Sequence, residues 1–222
     1  MMTAGMKNIV LRRAGIILFL IGVCAHARAQ GDWQLKRNED GIKVFTRNDD
    51  STSFKCIRVE CTVNATPSQL VALLMDMNRQ PDWVYGSKSA EVLKTIKPNE
   101  FVFHSEVEVP WPCSDRDYIA HIVINQASPQ LVTIDSRSEP DLLPLRDGVV
   151  RVKKSRAHWD VTTVEKNVVK ILYTVSFDPS GAVPAWLTNM FVTKGPFLTF
   201  QKLKDKVAMP AYQNAHYDFI KE

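Results

Sequence analysis

PAWLTNMFVTKGPFLTFQKLKDKVAM, residues Pro184–Met209, is the stretch whose periodicity decides the fold. Trp186, Leu187, Met190 and Phe191 come first at helical spacing. Phe197, Phe200, Leu203 and Val207 continue as an i, i+3, i+6, i+10 stripe, with Lys202, Lys204, Asp205 and Lys206 on other faces. Nearly everything between this stretch and an apolar leader has the pattern of short strands. A long amphipathic helix after a run of strands predicts an α+β chain whose antiparallel sheet curls around that helix. A helix that merely caps an ordinary α+β core is the alternative.

Working outward, the strands announce themselves by alternation. Trp33–Arg37 and Ile42–Arg47 flank Asn38-Glu39-Asp40-Gly41 and predict a hairpin, followed by a longer strand over Phe54–Val63. Thr66, Pro67 and Gln69 carry an N-cap, a first-turn proline and a capping-box partner, so a helix starts there and runs until Pro81 stops it. Six strands are expected next, over Ala90–Ile96, Phe101–Val109, Tyr118–Asn125, Leu131–Ser138, Val149–His158 and Val168–Phe177. Phe101, Phe103, Val107 and Val109 share a face with Ser105, opposite His104, Glu106 and Glu108. Val169, Ile171, Tyr173, Val175 and Phe177 share one in the last strand. One buried and one wet face is the pattern of an antiparallel sheet. The long connection Glu139–Gly148 carries Leu142, Leu143 and Leu145 among prolines and aspartates, and these leucines either plug the end of the core or form a movable apolar lid.

The amino terminus has the marks of a secretory signal. Lys7, Arg12 and Arg13 precede the apolar run Ala14–Ala25, and Ala27-Arg28-Ala29 supplies a small-x-small cleavage site. The run is about a dozen residues, short of the ~20 that span a bilayer, though an uncleaved anchor is the competing reading. Cleavage after Ala29 would leave residues 30–222 as a single domain, exported to a periplasm or the exterior. Lys7, Arg12, Arg13 and Arg28 account for the whole formal charge of +4, and without them 24 basic residues face 24 acidic ones. A neutral mature chain gives no support for a nucleic-acid partner. Cys56, Cys61 and Cys113 would remain. An odd count excludes full pairing, and Cys56 and Cys61 fall on opposite faces of one strand.

In this order the chain resembles the START family, the StAR-related lipid-transfer domains of the Bet v 1-like, helix-grip superfamily. The carrying residues are Pro110-Trp111-Pro112 before Asp115-Arg116-Asp117-Tyr118, then Val150-Arg151-Val152, then Asp178 to Asn189, which reads DPSGAVPAWLTN. Trp33, Gly41-Ile42-Lys43-Val44 and a helix ending at Asp76 fit the same order. The resemblance implies a sheet of about nine strands gripping the C-terminal helix, a lipid-sized tunnel between them, and the loop Glu139–Gly148 near the tunnel mouth. Some members hold a sterol hydroxyl with a charged pair inside the tunnel; in the corresponding strand here stand Ile122 and Val123.

The residues offer little for catalysis. His104, His121, His158 and His216 are scattered, without zinc-ligand spacing, and there is neither a nucleophile elbow nor a glycine-rich phosphate loop. Asp115 and Asp117 around Arg116 suit a salt-bridged strand entrance. The phase of Arg151 is open. Trp159 argues for an inward side chain, Val150 and Val152 for an outward one, and an inward one would need a carboxylate or a ligand headgroup. The chain is therefore read as a binding protein with no catalytic residue, metal or cofactor. Its partner would be a hydrophobic small molecule or lipid, with transient membrane contact and a monomeric state. The candidate ligand-binding set is Val107, Tyr118, Ile122, Tyr173 and Phe177 from the sheet, Phe197, Phe200 and Leu203 from the helix, the loop leucines Leu142, Leu143 and Leu145, and Arg151. Core packing is the competing explanation for each apolar member. Two other functions stay open: a helix-grip enzyme of cyclase or hydrolase type using the same cavity, and a sensing module without transfer. The loop would swing against a helix able to hinge at Gly195-Pro196, where proline removes a backbone donor.

Overall fold

A computed structural model describes residues 33–48, 55–181 and 184–221. The leader, its cleavage site and the expected strand start at Phe54 lie outside the described residues. Ten strands form one sheet: β1 (Gln34–Glu39), β2 (Ile42–Asn48), β3 (Lys55–Val63), β4 (Ser87–Lys97), β5 (Glu100–Val107), β6 (Asp115–Ser128), β7 (Leu131–Ser138), β8 (Val149–Arg151), β9 (Lys154–Glu165) and β10 (Val168–Asp178). Their spatial order is β1-β2-β3-β10-β9-β7-β6-β5-β4, antiparallel throughout, with β8 paired in parallel to β6 off that path. The sheet is open and curved, and its concave face receives the C-terminal helix.

Local chemistry accounts for the helices. α1 (Pro67–Met75) begins on a complete capping box. Thr66 Oγ1 accepts from Gln69 N–H, and Gln69 Oε1 accepts from Thr66 N–H at 2.8 Å. The helix ends at Asp76, five residues before the proline expected to stop it. Pro81 instead sits in the first turn of α2 (Gln80–Trp83), where its missing N–H costs nothing. The C-terminal helix has three parts: α3 (Ala185–Asn189), a π-helical turn (Met190–Lys194) and α4 (Gly195–Lys206). The π turn falls where Pro196 cannot donate, and Gly195 N–H reaches back to Met190 O instead. A Cβ on Gly195 would meet that carbonyl at 3.1 Å and the Tyr85 ring at 3.3 Å, so only glycine lets the helix approach so closely.

The expected strand Val149–His158 is two strands. Val149–Arg151 lies beside Asp115–Asp117, and after Val152 and Lys153 the chain turns to run along β7 and β10 as β9. Val152 N–H donates to Asp117 O at 2.8 Å, the last bond of the β8 pairing before the chain turns. β6 also starts three residues before the expected Tyr118, because β8 gives Asp115–Asp117 a pairing partner. Val109 lies beyond the end of β5, buried in the connection to β6.

The concave groove has a packed half and an open half. Ile42, Val44, Val59, Val63, Leu70, Leu73, Val169, Ile171, Leu203 and Val207 fill the packed half with almost no exposure. The chain after α4 closes it. Tyr212 donates to Asp76 Oδ2 at 3.0 Å, Ile220 is buried, and Gln126 exchanges hydrogen bonds with Lys221.

Candidate functional site

The open half of the groove is a cavity of about 300 Å³, in the range of small-molecule sites. Strand alternation builds it. β6 presents Arg116, Tyr118, Ile122 and Ile124; β5 presents Phe101, Phe103 and Val107; β10 presents Tyr173, Val175 and Phe177. On β10 the same face that packs Val169 and Ile171 into core becomes cavity wall from Tyr173 onward. Trp159 of β9 lies 4.4 Å from the Tyr173 ring and 5.3 Å from that of Phe200, centroid to centroid, so the helix seals the cavity with an aromatic cluster. Gly195, Pro196 and Thr199 complete the helix side, and Trp83, Val84 and Tyr85 after α1 close another wall.

Six of the residues expected at the site line this cavity: Val107, Tyr118, Ile122, Tyr173, Phe177 and Phe200. Phe197 and Leu203 are buried but do not. Phe197 turns toward β1, where the Arg37 guanidinium covers its ring at 3.5 Å, and Leu203 packs into the filled half. Leu142 and Leu145 are about half and two-thirds exposed, and none of the three loop leucines reaches the cavity. The loop stays outside because its carbonyls are held elsewhere.

Arg151 holds them. Its guanidinium makes a two-point ion pair with Asp117, both bonds 2.9 Å, and donates to the carbonyls of Pro140, Leu143 and Pro144. It therefore lies on the convex side of the sheet, not on the cavity wall. Burial opposes the charge on Asp117, but Arg151 and the His104 ring at 3.1 Å outweigh it and keep the carboxyl below its ordinary range. Arg146 adds a second tie from the loop to Glu106.

Asp115 and Asp117 are indeed salt-bridged, though not to the arginine between them. Alternation sends both carboxylates to the convex face, where Asp115 takes Lys88 at 2.7 Å and Asp117 takes Arg151. Arg116 is sent alone into the cavity, 5 % exposed. The sequence signal was present in the alternation, but the three charges read as one local cluster. Tyr118, two residues on, meets a second polar group. Burial raises its pKa, opposed by hydrogen bonding with Ser105 and Gln80. Ser105 donates to Gln80 Oε1 at 2.6 Å.

Histidine–carboxylate pairs do occur, His121 with Glu100 at 2.9 Å and His158 with Asp135 at 2.7 Å, and both lie outside the cavity. Among the described residues no histidine or cysteine lines it, and no cluster of ligating side chains could hold a metal ion. Burial pushes the Cys61 thiol up to about 12, against the nearby charge of Lys204.

The comparisons agree with this architecture. A family model described as START domain matches residues 25–210. An uncharacterized protein of Pseudomonas aeruginosa is 27% identical over 195 residues, covering 88% of this chain and 96% of that protein. The phosphatidylcholine transfer protein of Rattus norvegicus is 28% identical over 191 residues, covering 83% and 86%. Among solved structures, the STAR-related lipid transfer protein of Xanthomonas axonopodis superposes with TM-score 0.73 at 29% identity, over 80% of this chain and 99% of that one. A Streptomyces aromatase/cyclase superposes at TM-score 0.52 and 14% identity, over 68% of this chain and 92% of that one, a likeness of fold alone.

Proposed function

The chain belongs to the START domain family, and on that premise we propose that it is a lipid-binding and lipid-transfer protein holding one hydrophobic ligand in the cavity under its C-terminal helix. The observation that carries this reading is the wall itself, mostly aromatic and aliphatic, with Gln80, Arg116, Ser136, Ser155 and Thr199 as its few polar members besides the tyrosines. Such a surface releases water when apolar ligand area enters, at roughly 25 cal/mol per Å². Nothing on it forms a nucleophile–base pair, which favours carriage over turnover.

Membrane contact would be made by Trp111, Leu142, Leu145 and Trp186, large apolar side chains that are exposed. Their segments are neighbours: β8 follows the leucine loop and pairs with the first residues of β6, and Arg116 bonds to Ser114 on one side and to Pro179 and Ser180 on the other. Uptake would begin with release of the loop from Arg151 and of Arg146 from Glu106, and with bending of the helix at the π turn before Pro196. Working as a monomer, the protein would meet its lipid after export through the cleaved leader.

Transfer of pyrene-labelled phosphatidylcholine between vesicles tests the reading. Folded protein should speed it well above the spontaneous rate; a rate equal to the protein-free control for this and for other lipids would overturn it.

A further inference from the structure

Arg116 is buried in the cavity wall without a counter-ion. Among the described residues no carboxylate lies within 4 Å of its guanidinium, since Asp115 and Asp117 point through the sheet to Lys88 and Arg151. Its partners are backbone carbonyls: Ser114 O at 2.5 Å, with Pro179 O and Ser180 O at 3.5 Å, the outer limit of a hydrogen bond. Its cross-strand neighbour on β5 is Val107, and the cavity that both line is mostly aromatic and aliphatic and screens poorly. A guanidinium in such a place is costly alone and strongly attractive to an anion.

Resting on the lipid-carrier reading above, we propose that Arg116 is the recognition group for an anionic oxygen group on the ligand, the phosphodiester of a phospholipid or the carboxylate of a fatty acid. Its fork of donors matches either group in two-point geometry, and two of its three carbonyl bonds are long enough to be exchanged for it. The strand that carries it grades from charge to hydrocarbon. Arg116 is followed on the same face by Tyr118, then by Ile122 and Ile124, which spans roughly 26 Å at about 3.3 Å per residue. A bound amphiphile would lie along β6 with its charged end at Arg116 and its chains toward Ile124, Ile134 and Phe101. A neutral sterol or diacylglycerol would leave the guanidinium unanswered.

The test uses the full chain and three probes of matched acyl length: phosphatidylcholine, oleate and the neutral diacylglycerol. Each is presented in vesicles, and bound lipid is counted per protein. Wild-type protein should prefer one of the two probes that carry an anionic oxygen group to diacylglycerol by about tenfold or more, and which one identifies the source of that group. Arg116→Gln should bring that ratio close to one, with Arg116→Lys in between. If Arg116→Gln does not fold, the headgroup ratio of the wild type decides alone. A wild type that takes diacylglycerol as well as it takes phosphatidylcholine and oleate overturns the proposal and leaves lipid carriage standing. So does a variant that loses all three probes equally. A wild type that takes no probe overturns both.

Discussion

The two faces of the sheet at the start of β6 carry opposite solutions to the same problem. On the convex face, Asp117 and Arg151 are buried as a matched pair, with His104 and three loop carbonyls satisfying what remains. On the concave face, one residue away, Arg116 is equally buried and faces an apolar cavity with carbonyls alone. A saturated cluster does structural work and gains nothing from a ligand. An unsaturated one is a cost that a ligand can remove. The difference separates scaffold from site more sharply than burial or residue type does.

The largest expected effect breaks the convex side. Arg151→Met leaves Asp117 charged and buried, and should cost about 3–5 kcal/mol in urea unfolding. Replacing both, as Arg151→Met with Asp117→Leu, should recover part of that loss. Arg116→Met, made in the same protein without ligand, should stay within about 1 kcal/mol of wild type, because it removes an uncompensated charge. Equal losses at both arginines would erase the distinction.

Acid sharpens the contrast. The Asp117 carboxyl is held below its ordinary value, so its contribution is complete above about pH 4 and drains away as pH falls through the folded value. Stability should therefore drop below pH 4 in the wild type and much less so in Asp117→Asn, as read by chemical unfolding at a series of pH values.

The fold was legible because its signals are local. The stripe Phe197, Phe200, Leu203 and Val207 is buried at all four positions, and the capping box at Thr66 and Gln69 formed as its spacing required. Apart from Phe200, the expected residues that line the cavity are on the sheet, where a two-residue period fixes which side chains share a face. On the helix, the π turn at Met190–Lys194 breaks the period just before Phe197, and nothing local says that the cavity ends at Phe200. The partner of Asp117 depends on β8, a three-residue parallel strand formed by residues more than thirty positions away, and those of Asp115 and Arg116 come from β4 and from the chain after β10. No spacing rule predicts such a pairing. The same contact explains the leucine loop, which Arg151 pins to the outside.

A smaller effect concerns that loop. Arg146 is half exposed, so Arg146→Ala should cost less than about 1 kcal/mol of stability. It should still quicken lipid uptake in stopped-flow mixing with vesicles, since one of two ties is cut. Slower or unchanged uptake would show that the loop does not limit access.

The most direct measurement fills the cavity. Ala157 lines it on β9 and is buried, so Ala157→Phe places a ring where ligand would lie and uses space already empty. After equilibration with phosphatidylcholine vesicles, mass spectrometry under native conditions should find one lipid per wild-type chain and none on Ala157→Phe, with both proteins melting cooperatively. Equal lipid on the two would contradict the cavity as the binding site.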